Sequence, residues 1–306
     1  MLRYAIKRLF GAIPTLFVII AIAFFMMRVA PGGPFDRERK VTAEIEANLA
    51  KAYHLDEPLW MQFGRYMGGV LQGDFGPSFR YKDFSVSELI WSGFPTSMRL
   101  GGIAVLLAAL IGLALGTVAA LRQNSAVDYS SMGIAMFGIT VPNFVVAPLL
   151  TLVFGLWLRW STVGGWGDSW KQAILPIVAL CLPQIAAVAR LTRASMIEVL
   201  RSNYVRTARA KGLSEQVTIV RHALRATMLP VVSYLGPAAA GVITGSIVIE
   251  QIFSIPGIGR YFVQSALNRD YTLVMGVTIL YGTILILFNL LVDLLYGVLD
   301  PKVRYD

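Results

Sequence analysis

The sequence predicts an all-α integral membrane protein with six transmembrane helices. Hydrophobic residues make up 56% of its 306 residues and charged residues only 15%, whereas soluble domains carry about a quarter charged residues. Six apolar runs also reach the length of about 20 residues that a helix needs to cross a bilayer. Because lipid offers the backbone no hydrogen-bond partner, each run that crosses the membrane is expected to be helical.

The six predicted spans are separated by polar segments of very different lengths. The first run follows basic residues, so a cleaved signal peptide is the alternative there. We interpret it as a span, because its apolar core exceeds the usual length of about 7–15 residues and Arg28 and Pro31 spoil a small-residue cleavage site. The runs are approximately Leu9–Met27, Leu100–Leu121, Met132–Leu158, Ala173–Ala189, Leu229–Ile249 and Leu273–Val292.

The distribution of basic residues orients the spans. Segment 190–228 holds eight Arg or Lys against two Glu, and short loops rich in basic residues stay in the cytoplasm. An even number of spans then places both termini in the cytoplasm. Topology thereby accounts for the net charge of +9, and binding to nucleic acid is not expected.

Two parts are predicted along the chain. Residues 1–95 comprise the first span and an extracytoplasmic segment, in which TAEIEANLAKAYHLDEPLWMQFGRYMGGVLQGDFGPSF indicates short amphipathic helices that end at Gly and Pro. Residues 96–306 comprise the other five spans. A second outer segment, 251–272, follows the fifth span, and its Pro-Gly-x-Gly sequence interrupts any helix.

The cores of the six predicted spans contain no Asp, Glu, Lys, Arg or His. Ion-coupled carriers, and channels with charged selectivity rings, usually need such groups within the membrane. The composition therefore disfavours ion coupling, and any transport is expected to draw its energy from outside this chain. Asp293 directly follows the sixth of these cores, and we interpret it as an interfacial carboxylate that pairs with a cytoplasmic base.

Glycines and uncharged polar residues mark the spans instead. Two Gly-x-x-x-Gly pairs, Gly112–Gly116 and Gly241–Gly245, predict close helix packing. The polar side chains either line a neutral, wettable pathway or form hydrogen bonds between helices, and the sequence leaves both open. They are Thr140, Asn143, Gln184, Ser233, Thr244, Ser246, Thr278, Thr283 and Asn289. For a pathway, spans five and six supply the best candidates, Ser233, Gly236 and Thr244.

No pattern of a soluble active site occurs in the sequence. A phosphate-binding Gly-x-x-x-x-Gly-Lys-Ser/Thr loop is absent, so this chain is not expected to bind ATP in that way. The two histidines, His54 and His222, fall on opposite predicted sides of the membrane, and the single cysteine, Cys181, lies in an apolar run. We expect no catalytic residue, no metal site and no cofactor on this chain.

The basic segment 204–230, YVRTARAKGLSEQVTIVRHALRATMLP, has the marks of ordered structure. Residues 204–211 predict one short helix. Gly212 suits the left-handed position just past the end of that helix, and apolar Leu213 follows it, as in a common helix-terminating turn.

A second helix is predicted directly after this turn. Ser214 can cap it, and Glu215 suits its positive N-terminal end. Pro230 is expected to start span five. This helix–Gly–helix unit indicates a docking element for a cytoplasmic partner, and a basic loop against anionic lipid is the alternative.

The same segment resembles the coupling loop of ATP-binding-cassette importer permeases, whose signature is Glu-Ala-Ala, three residues and Gly. Gly212 matches the glycine and Ala208 the second alanine, while Arg206 and Thr207 replace Glu and the first Ala. The pattern RTARAKGL…RHALR…LP is similar to the variant in the dipeptide/oligopeptide permease family. LDEPLWMQFGRYMGGVLQGDFGPSF, IEQIFSIPGIGRYFVQSALNRDYTLV and DLLYGVLDPKVR also resemble that family, so the likeness covers nearly the whole chain.

This resemblance implies the type I permease fold of such importers and a place in the bacterial cytoplasmic (inner) membrane. The implied partners are a second, related permease subunit, two cytoplasmic ATPase subunits that bind ATP with Mg, and an extracytoplasmic peptide-binding protein. The implied substrate is an oligopeptide or dipeptide, and nickel, glutathione or another small solute is the alternative. An ion-coupled carrier, and a scaffold that only anchors a cytoplasmic complex, are the alternatives from other classes.

The resemblance also suggests candidate sites. Coupling to the ATPases is expected at the helix and turn of 204–214 and the next residue: Arg206, Thr207, Ala208, Arg209, Lys211, Gly212, Leu213, Ser214 and Glu215. Docking of the binding protein, or shaping of a gate, is expected at the forced turns in GDFGPSF and PGIG, which can equally be purely structural. The residues concerned are Asp74, Phe75, Pro256, Gly257, Ile258 and Gly259.

Overall fold

The computed structural model describes residues 2–29, 54–81 and 83–299. The α-helices of these stretches are α1 (Leu2–Val29), α2 (Leu59–Leu71), α3 (Val86–Leu121), α4 (Ala126–Thr140), α5 (Asn143–Leu150), α6 (Lys171–Leu200), α7 (Asn203–Ala210), α8 (Glu215–Val217), α9 (Leu224–Ile243), α10 (Ile247–Ile252), α11 (Ile258–Asn268) and α12 (Tyr271–Leu299). Two segments continue helices with π-type turns: Thr151–Trp157 follows α5, and Thr218–Ala223 joins α8 to α9.

Five helical stretches are long and apolar enough to cross a membrane, which confirms five of the predicted spans. They are α1, α3, α6, the stretch from α8 to α10, and α12. The second of them, α3, begins at Val86, well before the predicted start at Leu100. The difference arises because polar and aromatic residues precede the apolar run without ending the helix.

The predicted span Met132–Leu158 is not one straight helix. α4 ends before Val141, and α5 with its π-type continuation lies at 102° to α4. Val141 is extended (φ −99°, ψ 121°), because the residue before a proline, here Pro142, avoids the α-helical region. Taken together as one broken span, the two pieces make a sixth stretch of spanning length among the described residues. Both pieces are apolar, so the hydrophobic pattern does not reveal that the helix breaks here.

The helices α3 and α6 approach each other through small residues. An ideal Cβ on Gly112 would lie 2.7 Å from a side-chain carbon of α6, and one on Gly116 would lie 2.4 Å from an α6 carbonyl oxygen. This pair confirms the predicted close packing. The other pair does not pack in this way, because a Cβ on Gly241 meets nothing within 4 Å and Gly245 lies beyond α9 with φ +110°.

The helices α1 and α12 run antiparallel. Phe24, near the end of α1, packs in one cluster with Met275, near the start of α12. At the opposite end Arg8 Nε lies 3.2 Å from Asp293 Oδ2. This ion pair confirms the interpretation of Asp293 as a carboxylate paired with a base. It also brings the start of α1 and the end of α12 to one end of the bundle, as an even number of crossings requires.

The outer segment leads directly into α3. Ser85 Oγ accepts a hydrogen bond from the Glu88 N–H at 3.2 Å, and Glu88 Oε2 accepts one from the Ser85 N–H at 2.8 Å, which together cap the helix. α3 then runs unbroken past residue 95, so the predicted division between 1–95 and 96–306 falls within a helix and stays a prediction. Of the predicted outer amphipathic helices, α2 is confirmed; the stretch 42–53, like the chain end from 300 onward, lies outside the described residues.

Candidate functional site

The short helix α7 ends in the turn that the sequence predicts. Gly212 has φ +76°, and its N–H donates to the carbonyl of Arg209 at 2.9 Å. The N–H of Leu213 reaches back to the carbonyl of Ala208 at 3.3 Å. Together these bonds form a Schellman motif, which satisfies carbonyls at the helix end and needs a left-handed residue. The left-handed conformation predicted for Gly212 is confirmed.

The following helix begins at the predicted cap. Ser214 Oγ accepts a hydrogen bond from a backbone N–H of α8 at 3.4 Å. Arg209 Nη2 lies 2.6 Å from Glu215 Oε1 across the turn, and this bond raises the pKa of Arg209. The chain then stays helical into α9, and Pro230 lies inside that helix. The helix therefore begins before Pro230, which a helix in the membrane tolerates, and the entry of span five at Pro230 stays a prediction.

One face of α7 is buried within this chain. Val205 is fully buried in a cluster with Ala120, Met196 and Ala223, so α7 rests on the ends of α3 and α6. Ala208 is only 6% exposed, so its methyl group packs inward against this chain. The other residues predicted for coupling are exposed: Arg206, Thr207, Arg209, Lys211, Gly212, Leu213, Ser214 and Glu215.

A cavity of about 640 Å³ lies between α5, α6 and α9. Its polar lining is uncharged and comprises Asn143, Gln184, Ser233, Tyr234 and Ser246. Tyr234 Oη donates a hydrogen bond to Gln184 Oε1 at 2.7 Å. Asn143 Oδ1 is buried without a hydrogen-bond partner in the described part of the chain. The cavity can therefore offer hydrogen bonds to a polar guest without presenting a fixed charge.

The three predicted pathway residues occupy different environments. Ser233 lines this cavity. Gly236 instead packs against α12, since an ideal Cβ there would lie 2.3 Å from Val292 Cγ2. Thr244 is buried and donates its hydroxyl hydrogen to the carbonyl four residues earlier at 2.7 Å, beside a second cavity of about 290 Å³ between α1, α9 and α12. Only Ser233 joins the amide side chains of the larger cavity.

Other polar residues of the spans bond to their own helices. The hydroxyls of Thr140, Thr278 and Thr283 each donate to the carbonyl four residues earlier, at 2.8–3.0 Å. The bond between Tyr234 and Gln184 does join two helices. The polar residues thus divide between the cavity lining, one contact between helices and bonds within a helix.

The first outer turn has the backbone that its glycines predict. Gly73 and Gly76 have φ +77° and +84°. Between them, Asp74 is exposed, and its Oδ1 accepts a hydrogen bond from the Gly76 N–H at 2.8 Å. Phe75 is half-buried and packs against the apolar clusters of the outer helix ends. Asp74 therefore faces outward, while Phe75 anchors the turn.

A fully buried carboxylate joins the two outer segments. Asp270 accepts hydrogen bonds from the Ser78 hydroxyl and, at 3.2 Å, from the Phe79 N–H. It also accepts one from the Leu273 N–H at 3.2 Å, in the first turn of α12. Asp270 is not among the residues predicted from the sequence as candidate sites. Its position just before a long apolar run is typical of a helix-capping residue.

The second outer turn, PGIG, surrounds another carboxylate that is not among the sequence-predicted site residues. Gly257, Ile258 and Gly259 are buried and Pro256 is half-buried. Ile258 is fully buried, so the predicted contact between its side chain and a binding protein is not supported. The buried residue beside this turn is Glu250. An acidic residue between an apolar run and a Pro-Gly-x-Gly turn was the available signal.

Metal-binding chemistry has no evident place in the described stretches. They contain no group of three or more His, Cys, Asp or Glu residues that could hold a metal ion. The thiol of Cys181 is buried and contacts the Ala104 carbonyl oxygen at 3.1 Å. In the described residues, the polar side chains of the candidate sites form hydrogen bonds and packing contacts.

The fold and the site define a class of protein: a membrane subunit built from spanning helices around an uncharged cavity, with a capped helix at one end. A solved structure with this fold is titled "Crystal structure of an amino acid ABC transporter with histidines". It matches with a TM-score of 0.54, covering 69% of this chain and 94% of that chain, at 17% sequence identity. At that identity the likeness concerns the fold alone.

The chain belongs to the family described as "Binding-protein-dependent transport system inner membrane component", which matches residues 112–305. Residues 1–101 match the corresponding N-terminal family of transport system membrane components. The chain is 55% identical to the "Oligopeptide transport system permease protein OppB" of Escherichia coli over the full length of both. It is 45% identical to the "Dipeptide transport system permease protein DppB" of Bacillus subtilis, covering 99% of this chain and 98% of the relative. The predicted permease class and inner-membrane location are confirmed.

Proposed function

We propose that this chain is a membrane-spanning subunit of an ATP-driven importer that carries oligopeptides or dipeptides across the cytoplasmic membrane. The observation that carries the proposal is the 55% identity, over the full length, to an oligopeptide permease. A dipeptide permease at 45% identity keeps short peptides within the same proposal. Nickel or glutathione import is the competing function.

The chemistry of the larger cavity favours a peptide. A peptide importer must pass many different side chains, and a fixed charge in the pathway would retain some substrates and repel others. The amides of Asn143 and Gln184 and the hydroxyls of Ser233 and Ser246 carry no charge. The amides can both donate and accept hydrogen bonds, and the Ser233 hydroxyl, which already donates to the Leu229 carbonyl at 2.8 Å, can accept one. This suits the N–H and C=O groups that every peptide shares.

We further propose that α7 couples this chain to two ATPase subunits, which bind ATP with Mg in the cytoplasm. The exposed surface of α7 and its turn combines apolar groups, Tyr204 and Leu213, with the bases Arg206 and Lys211, a mixture that suits a protein partner. Val205 anchors the opposite face on α3 and α6. Motion of the ATPases would therefore reach two spanning helices directly.

Alternating access then follows from differential binding. ATP binding closes the ATPase pair, shifts α7, and favours the state in which the pathway of this chain and a second, related permease opens outward. Hydrolysis and release reverse the shift. ATP and Mg act on the partner subunits, and this chain supplies the pathway and the coupling helix.

We propose that the extracytoplasmic binding protein docks at the first outer turn. Asp74 is exposed there, and the bond that its side chain accepts from Gly76 holds the turn in shape. A crosslinker on Asp74→Cys is expected to capture the binding protein in assembled complexes. Thr207→Cys, at the predicted cytoplasmic end, is the control that should capture an ATPase subunit instead. Capture of the binding protein at neither Asp74 nor its neighbours would contradict docking at this turn.

The proposed function is tested by purifying the complex from its native membrane and identifying its subunits by mass spectrometry. The same complex, reconstituted in vesicles with the binding protein, is expected to take up labelled dipeptides or oligopeptides only when ATP is supplied. Uptake of nickel or glutathione in place of peptides would select the competing substrate. Uptake that persists without the ATPases would indicate an ion-coupled carrier, and uptake that survives deletion of this chain would indicate a scaffold.

A further inference from the structure

The buried carboxylate of Glu250 lies where three helices meet near the outer end of the bundle. It belongs to α10 and is 1% exposed. Its Oε1 accepts a hydrogen bond from the hydroxyl of Ser97 in α3 at 2.6 Å. Its Oε2 accepts one from the N–H of Gly259 in α11 at 2.9 Å. One side chain thus joins α3, α10 and α11.

The same contacts cap α11 from outside that helix. The first N–H groups of a helix have no partner within it, and Gly257, at the capping position of α11, has no side chain to supply one. The Ile258 N–H donates to Ser97 Oγ at 2.9 Å, and the Gly259 N–H donates to Glu250 Oε2 at 2.9 Å. A carboxylate at the positive end of a helix is also electrostatically favourable. The start of α11 is therefore held by residues of α3 and α10.

Three glycines leave room for this carboxylate. An ideal Cβ at Gly257 would lie 2.3 Å from Glu250 Cδ, and one at Gly259 would lie 2.9 Å from Glu250 Oε2. Gly245, with φ +110°, would place its Cβ 3.2 Å from Glu250 Oε1. The Glu250 side chain fills the space that a side chain at any of these three glycines would occupy. The backbone of the glycines therefore surrounds the carboxylate closely and restricts its rotation.

The position of Glu250 connects these contacts to the larger cavity. Ser246, directly before α10, lines that cavity. The Glu250 N–H donates to the Ser246 carbonyl at 2.9 Å, so only one helical turn separates the carboxylate from the cavity. Ile249, between them, is fully buried in the main core cluster. Movement of α10 would therefore move the cavity lining at Ser246.

We propose that Glu250 is a positioning residue of the transport cycle, whose carboxylate holds the outer part of α3, α10 and α11 together as one moving unit. Hydrogen bonds to a charged group are stronger than those between neutral groups, and a buried carboxylate that loses its donors has no water to replace them. The unit is therefore expected to shift as a whole, carrying Ser246 with it. This inference rests on the proposed import function.

The test measures how fast a polar thiol reagent modifies Ser246→Cys in the complex with its permease and ATPase partners. Rates are compared without nucleotide and with a non-hydrolysable ATP analogue. The chain without the added cysteine gives the background rate of modification at the buried native thiol of Cys181. Glu250→Gln is the main variant, because an amide carries no charge and has only one acceptor oxygen, so it cannot accept from both Ser97 and the Gly259 N–H. Gln251→Ala, at an exposed neighbouring position of α10, is the matched control.

With the native carboxylate, and in the Gln251→Ala control, the modification rate should depend on nucleotide. In Glu250→Gln it should rise about tenfold without nucleotide, as expected for losing a hydrogen bond to a charged group, and its dependence on nucleotide should disappear. Ser97→Ala, which removes one donor and leaves the carboxylate with its backbone donor Gly259, should lie between the two. This graded loss of nucleotide dependence is a readout that a purely structural role would not change.

An assembled Glu250→Gln complex that keeps the nucleotide dependence of the control would overturn the proposal. If Glu250→Gln does not assemble, Ser97→Ala tests the proposal through the same ratio of Ser246→Cys modification rates with and without nucleotide. Absence of any nucleotide effect in the control would also overturn the proposal, because Ser246 would then not move. Peptide uptake by the unmodified complex is measured separately, so failure of this inference is distinguishable from failure of the proposed function.

Discussion

Replacing Gly212 with Val should weaken coupling through the backbone alone. Gly212 has φ +76°, a conformation that costs an L-residue with a Cβ about 1–2 kcal/mol. That cost corresponds to a factor of about 5–30 in the population of the native turn. An ideal Cβ at this position meets no atom within 4 Å, so steric clash adds little. The loss arises because the Schellman turn that aims α7 becomes less populated.

A matched replacement separates backbone conformation from the loss of glycine itself. Asn tolerates the left-handed region better than other residues with a Cβ, so Gly212→Asn should retain most of the activity that Gly212→Val loses. The assay measures ATP-dependent peptide uptake, and ATP hydrolysis stimulated by the binding protein, in vesicles containing the assembled complex. Both activities should fall several-fold for Val and much less for Asn. Amounts of assembled complex should stay similar, because residue 212 lies outside the spanning helices.

Two outcomes would refute this reasoning. If Gly212→Val assembles with the ATPases and transports at the native rate, the turn does not aim a coupling element, and the segment is only a basic cytoplasmic loop. If Val and Asn reduce uptake equally, the left-handed backbone is not the cause, and the small size of glycine against the partner accounts for the effect.

Three further predictions concern burial, the cavity and the outer segments. Ala208→Glu should destabilise the seating of α7 by about 2–5 kcal/mol, because the new carboxylate would be buried within this chain, while Thr207→Glu at an exposed position should leave the thermal stability of this chain unchanged. In thiol labelling of the complex, Ser233→Cys should react with a polar reagent, whereas Gly236→Cys should stay unreactive against α12; equal reactivity would contradict the assigned cavity. Asp270→Asn should lower the free energy of unfolding by about 1–3 kcal/mol, because buried donors lose an acceptor, and an unchanged melting temperature of the purified complex would count against that role.

Local sequence patterns were sufficient to predict much of the structure of the candidate coupling element. Gly212, Leu213, Ser214 and Glu215 act with their chain neighbours, so the turn and both flanking helices follow from a dozen consecutive residues. The burial of Ala208 does not follow from that pattern, because it depends on how α7 lies on the ends of α3 and α6. A basic amphipathic helix is compatible with several docked orientations until its neighbours are known.

The sequence by itself determined the membrane class, five of the spanning stretches and the capped turn of α7, since hydrophobic length and helix-capping rules act over short distances along the chain. The break between α4 and α5 has a local signal in Pro142, which the hydrophobic pattern did not reveal. Only the tertiary structure decided that Ser233 lines the cavity while Gly236 packs against α12, and what Glu250 contacts. Glu250 and Ser97 are far apart in the sequence yet share a hydrogen bond. Such a pairing has no local signature, because the value of a buried carboxylate is set by the donors that other helices bring to it.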